Sequence, residues 1–313
     1  MRVATRFLWI PLITASLLAN GRPPLEPGEQ AVTVNVTHKG EAVPSLSAPN
    51  FILRQGQMPL EVVTAQEAGP ASVVFLVENS AASWTYLQDV NSAMRGFLEH
   101  ARPEDGYALV SYGREVRVEA PLTTDPAQVA RAFAGRTQSS WPDATLYDAL
   151  DRLLDQTKTL PNRPVIVVIG SGLDRFSEAG YKQLLERIAG EDVVIHAIQL
   201  GGTDPALRPQ PKISADLRSM IAARSAADQA PPDLNWGAMF LRAITTASGG
   251  RFFCPPCEAA FSSAVEQILQ SLDADYRVVY RRAPEPAEGK LRVEAFRLAD
   301  DVRTSFDVRV RRD

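Results

Sequence analysis

The chain has 313 residues, 45% of them apolar and 22% charged, with 23 prolines, 19 glycines and 2 cysteines. These proportions are those of an ordinary folded protein and exclude a disordered, collagen-like or multi-spanning membrane chain. A formal net charge of −4 argues against nonspecific nucleic-acid binding, which needs a basic surface.

The first feature in chain order is the one long apolar run, in which Arg2 and Arg6 precede Phe7–Leu18 and the small or polar Ala19, Asn20 and Gly21 follow. This order reads as a secretory signal peptide over 1–21, with an uncleaved anchor as the alternative. The run is short for a hydrocarbon layer of roughly 30 Å, Pro11 interrupts it, and no cysteine follows to carry a lipid. Its removal takes away two arginines and no acid, moving the net charge from −4 to −6. The mature protein is therefore expected in the periplasm or outside the cell, without a stable membrane span.

Residues 22–67 read as a linker and a β segment. Pro and Gly dominate 22–30, after which Val32, Val34 and Val36 alternate with Thr33, Asn35 and Thr37, the period of a half-buried strand. Lys39-Gly40 supplies a turn, a second strand is expected over Asn50–Arg54, and Gly56 turns the chain again.

From Ala71 strands alternate with helices, which implies a mostly parallel sheet covered on both faces. The apolar run Ser72–Val77 predicts a central strand. Leu87, Val90, Met94, Phe97 and Leu98 predict one buried face of a helix over 85–100. Tyr107–Tyr112 and Glu115–Ala120 are expected as an antiparallel edge turned at Gly113, followed by a helix near 126–134. After the polar stretch 136–143, Leu146, Ala149, Leu150, Leu153 and Leu154 mark a helix. Pro164–Ile169 is a strand, then come a helix with Tyr181, Leu184, Leu185 and Ile188 inward and a strand over Asp192–Leu200. Residues 201–233 form an insertion far longer than the usual connection of about 2–6 residues, in which Ser214 can cap a short helix bearing Leu217, Met220 and Ile221. A helix over Leu234–Ser248, a strand over Arg251–Phe253, a helix from Phe261 to Leu272 and a strand over Asp275–Arg281 complete the pattern. Leu291–Leu298 and Thr304–Arg311 alternate as strands. The expected architecture is α/β: a Rossmann-like open sheet over 68–275, flanked by β segments 22–67 and 276–313 that could form a small β-sandwich.

In open α/β sheets ligands sit outside the carboxyl ends of the strands, where strand order reverses. Three loops belong to that edge: Glu78-Asn79-Ser80-Ala81-Ala82-Ser83, Asp143-Ala144-Thr145-Leu146-Tyr147-Asp148, and Gly170-Ser171-Gly172-Leu173-Asp174. With these loops, Asn35–Val43 followed by Leu46–Phe51, Ala247-Ser-Gly-Gly-Arg-Phe-Phe253 and Leu272–Tyr280, the chain resembles the von Willebrand factor A (VWA) family. The closer likeness is to exported bacterial, acidobacterial-type proteins with a VWFA-related domain, and it covers nearly the whole mature chain.

The resemblance implies a metal-ion-dependent adhesion site, in which an Asp-x-Ser-x-Ser loop, a threonine and an aspartate hold a divalent ion that a partner's carboxylate completes. Residue by residue, Glu78 stands at the first aspartate, Ser80 at the first serine and Thr145 at the threonine. Ala82 stands at the second serine and Ser171 at the second aspartate. Mg²⁺ demands near-octahedral oxygen ligands and tolerates poor geometry badly, so this degenerate site is expected to bind Mg²⁺ or Mn²⁺ weakly or not at all. Asp143 and Asp174 lie close enough in sequence to act as substitutes.

The same edge is expected to carry a partner-binding rim of Trp84, Trp141, Asp143, Asp174 and Phe176, with Trp236 beside the insertion; the alternative is that each ring packs under its own loop. Cys254 and Cys257 in Cys-Pro-Pro-Cys read as a local structural disulfide, against a thiol redox motif as the alternative. His38, His100 and His196 show no metal-ligand spacing, and no nucleophile elbow or phosphate-cradling loop occurs. The function expected is non-enzymatic binding of a protein or surface ligand. A thiol–disulfide oxidoreductase using Cys254 and Cys257, or a structural envelope component, is the alternative.

Overall fold

The structure, a computed structural model, describes residues 25–39, 41–139, 141, 144–200, 234–255, 258–282, 289–299 and 302–311. The predicted signal peptide, the insertion 201–233, Asp143 and Cys257 lie outside these residues.

The amino-terminal segment contributes β1 (Glu29–His38), β2 (Glu41–Ala42), β3 (Phe51–Gln55), β4 (Met58–Leu60) and β5 (Val62–Glu67). The central domain runs β6 (Ala71–Glu78), α1 (Leu87–Glu99), β7 (Gly106–Tyr112), β8 (Val116–Thr123), α2 (Pro126–Gly135), α3 (Leu146–Thr157), β9 (Arg163–Gly170), α4 (Tyr181–Gly190), β10 (Val194–Gln199), α5 (Leu234–Ala247), β11 (Phe252–Phe253) and α6 (Glu258–Asp273). The carboxyl-terminal segment adds β12 (Asp275–Arg281), β13 (Leu291–Ala299), β14 (Val302–Ser305) and β15 (Asp307–Arg311).

The central sheet has the order β11-β10-β9-β6-β7-β8, parallel throughout except for the antiparallel edge strand β8. Every residue of β6 is buried, as a central parallel strand covered on both faces requires. On one face Phe75, Val77 and Tyr107 pack against Met94 and Phe97 of α1 and Phe261 and Ile268 of α6. On the other, Val74, Leu76 and Val168 pack against Leu150 and Leu154 of α3, Leu184 of α4 and Phe240 and Leu241 of α5. Each fully buried aliphatic or aromatic side chain is worth about 1.5–3 kcal/mol, so these two layers hold the domain.

The two chain ends form the small β-sandwich. One sheet, β15-β1-β12-β5, interleaves them, since β1 pairs with both β12 and β15, and β2 pairs with β1. The second, β14-β13-β3-β4, does the same through β13 and β3. Val32, Val34, Val36, Phe51, Leu53, Tyr276 and Val278 share the core between them. A buried network joins the sandwich to the central sheet. Asp275 of β12 pairs with Arg163 of β9 and accepts from Asn35 Nδ2 of β1 at 2.8 Å, while Arg163 Nη2 donates to the Leu272 carbonyl at 2.6 Å.

Three local readings of the sequence need correction. Thr304–Arg311 is not one strand: the chain changes sheets at Phe306, whose N–H bonds the Ala295 carbonyl at 2.9 Å, leaving β14 in one sheet and β15 in the other. The short edge strands β4 and β5 were not expected, because Pro59 and the mixed run Val62–Glu67 carry no clear alternation. Tyr181, placed inward by periodicity, is exposed at the first turn of α4.

Candidate functional site at the carboxyl edge of the sheet

The chain leaves β6 toward β7 on one side, and β9 lies on its other side, so strand order reverses between β6 and β9 and opens a crevice at their carboxyl ends. Glu78 is the last residue of β6 and Gly170 the last of β9, which puts Glu78 and Ser171 at that reversal. The Glu78 carboxylate is buried, 4% exposed. Its Oε1 accepts from Ser80 Oγ at 2.6 Å, its Oε2 from the Ser171 backbone N–H at 2.6 Å, and Tyr112 Oη adds a longer bond to Oε2 at 3.4 Å. Burial first, then the neighbouring charges of Glu78 and Asp174, push the Tyr112 phenol well above its ordinary pKa and keep it a neutral donor.

The third loop bonds each of the other two, and the first also bonds the stretch leading into the second. The first meets the third through Glu78 and Ser171. It meets the polar stretch that precedes the second through Asn79, whose Nδ2 donates to the Thr137 carbonyl at 2.9 Å and whose Oδ1 accepts from Ser139 N–H at 3.1 Å, and through Ala81 N–H to the Trp141 carbonyl at 2.7 Å. The second meets the third at the start of α3, where Asp174 Oδ2 accepts from Tyr147 N–H at 2.7 Å and from Ser177 Oγ at 2.6 Å. Acidic acceptors suit a helix amino terminus, where backbone N–H groups lack partners. Thr145 is tied to the β7–β8 turn: its N–H and Oγ1 both donate to the Gly113 carbonyl, at 3.0 and 2.9 Å.

This arrangement does not fit the divalent ion implied by the resemblance. Of the four aligned positions Glu78 alone is a carboxylate, and hydrogen bonds within the protein engage both its oxygens. The Thr145 hydroxyl is directed at Gly113, and Ser171 Oγ accepts from Leu173 N–H at 3.3 Å. Ser171 also aims an N–H at the carboxylate, and an N–H cannot ligate a cation. Both Asp174 oxygens serve the α3 terminus and its loop. Among the described residues no group of three or more His, Cys, Asp or Glu could hold a metal.

Around this centre lie the rim side chains. Phe176 is 59% exposed and Trp236, in the first turn of α5, 66%. Trp141 is exposed with the Arg114 guanidinium stacked 4.3 Å from its ring centroid. Trp84 is half-buried, with its indole Nε1 enclosed and without a hydrogen-bond partner among the described residues. Met239 on the second turn of α5 and Tyr181 on the first turn of α4 are exposed, beside an aromatic cluster in which Phe240 meets Tyr147 at 4.4 Å and Tyr181 at 5.7 Å between centroids. Cys254 is exposed just past the carboxyl end of β11; its predicted disulfide involves Cys257, outside the described residues. Sequence reasoning missed Tyr112, which reads as the end of an apolar strand, Asn79, which occupies an unspecified place in the loop pattern, and Arg114.

Residues 73–173 match the family model described as von Willebrand factor type A domain. No curated protein matches the chain. Among solved structures, an aerotolerance-related membrane protein from Bacteroides fragilis is similar at 14% identity and a TM-score of 0.50, over 64% of this chain and 98% of that one. A von Willebrand factor type A protein from Catenulispora acidiphila is similar at 11% identity and a TM-score of 0.50, over 91% of this chain and 74% of that one. These likenesses bear on the fold, and the second extends over most of the flanking β segments. With the family match spanning β6 to β9, four of the six strands of the central sheet, and the fold shared across that sheet, the chain carries a von Willebrand factor type A domain there.

Proposed function

We propose that this is an exported, non-catalytic protein that captures a protein or surface ligand through the carboxyl rim of its von Willebrand factor type A domain, without a resident ion. The observation that carries this reading is where large apolar side chains are exposed. Trp141, Phe176, Tyr181, Trp236 and Met239 all lie at the carboxyl edge, whereas Leu25, Met58, Leu298 and Val302 are scattered over the β segments. Large aromatic side chains exposed along one edge are common anchors of protein interfaces. A binding role is also supported by the state of His196, which is buried, accepts the Arg251 N–H at Nδ1, and faces a Ser271 hydroxyl that donates to the Ile268 carbonyl, the wrong polarity for a base activating a nucleophile. Export rests on the pattern of residues 1–21. No described helix is long and apolar enough to cross a membrane.

The test is affinity capture from the native envelope with the mature chain as bait, run with and without chelator. Capture should be indifferent to the chelator. Replacing Trp141 and Phe176 together by Ala should weaken retention roughly 10- to 100-fold while the circular dichroism spectrum stays unchanged. An unaltered capture profile from the double variant would count against the rim.

A further inference from the structure

We infer that the Glu78 carboxylate takes the place of the family's ion, acting as a fixed anionic hub that draws the first and third loops together and holds the rim in one arrangement. A cation in such a crevice works by gathering oxygen ligands from separate loops. Here the polarity is inverted: the centre is negative and the loops present donors to it. Ser80 Oγ comes from the first loop, the Ser171 N–H from the third, and Tyr112 Oη from the neighbouring strand β7, at 2.6, 2.6 and 3.4 Å. Hydrogen bonds to a charged acceptor are short and roughly twice as strong as neutral ones, and burial increases their strength.

Side-chain length decides the assignment. Glu78 begins on β6, and its carboxylate must cross to the amide that follows β9; the extra methylene over aspartate supplies that reach. The neighbouring residues leave room for it. A β-carbon on Gly170 would overlap Tyr112 Oη and approach Glu78 Oε2 to 2.9 Å, so a side chain at that position would displace the hub. On the outer side, a β-carbon on Gly172, which has φ +79°, would come within 2.5 Å of the Gly237 carbonyl oxygen, so α5 presses directly on the loop that Glu78 holds from within. The third loop is thus fixed between Glu78 and the first turn of α5, whose Trp236 is part of the proposed rim.

The hub belongs to the proposed binding rim, but its test needs no partner, so the two readings fail separately. Full-length native protein, Glu78→Gln and Glu78→Asp are compared for melting temperature and for hydrogen exchange at the Ser171 amide, in excess Mg²⁺ and in chelator. Gln keeps the length and one acceptor and can still take the Ser171 N–H. Asp keeps the charge and restores the family's residue but falls short. The hub predicts a native melting temperature indifferent to Mg²⁺, a fall of about 2–4 °C for Gln, and a larger fall for Asp with Ser171 exchanging at least ~10-fold faster. An Asp variant as stable as the native chain in Mg²⁺, with Gln the weakest, would mean that an ion site survives and would overturn the inference. Unchanged Ser171 protection in both variants would overturn it too. If the Asp variant does not fold in either condition while Gln does, the required reach is supported, because an ion site would favour Asp.

Discussion

Thr145 shows how far a motif can be read. Its place was legible because a threonine before a buried helix face is part of the family pattern, and the side chain does stand at the carboxyl edge. Its hydroxyl, however, donates to Gly113 beside an N–H that already bonds the same carbonyl. Thr145→Val should therefore cost about 0.5–1.5 kcal/mol in urea denaturation, equally with Mg²⁺ and with chelator, and Thr145→Ser should be close to neutral. A loss seen only in Mg²⁺ would make the hydroxyl an ion ligand. Glu78, Ser80 and Ser171 were legible for the same reason, through loop position. Tyr112 was not, because a phenol at the end of an apolar run looks like any other core residue until the strand beside it is known. Trp84 sits in a 3-10 turn over Ala81–Tyr86, where sequence periodicity cannot say which side faces inward.

The helices and strands of the central domain were readable because burial on both faces leaves long apolar runs and strong helical periodicity, as in β6, β9 and α3. The β segments were harder. β4 is three residues with a proline, and β14 and β15 are separated only by Phe306, so a change of sheet looks like continued alternation. Contacts between distant elements leave no local signal at all. Arg163 and Asp275 are 112 positions apart, yet they form a buried pair, 6% and at most 1% exposed, where β9 meets β12. Asp275→Leu should leave the Arg163 charge without its carboxylate and destabilise the fold by about 3–5 kcal/mol, while adding Arg163→Met should recover most of that loss. Equilibrium denaturation of the single and double variants checks this; a double variant no better than the single would show that the pair is not coupled.

On the scale of the molecule, a β-sandwich made from both chain ends anchors the amino side of the domain through Asp275, and the opposite edge is free to present aromatic side chains. The loops that define that edge are tied by hydrogen bonds, the first to the third through Glu78 and Ser171 and the second to the third through Tyr147 and Asp174, so under the proposed function the rim has its shape before a partner arrives. Such preorganisation lowers the ordering entropy lost on binding. Isothermal calorimetry of the full-length chain with Mg²⁺ and with Mn²⁺ tests most directly that the rim has no resident ion. No saturable heat tighter than a Kd of about 1 mM is expected. Micromolar binding of either ion, abolished by Glu78→Gln, would contradict it.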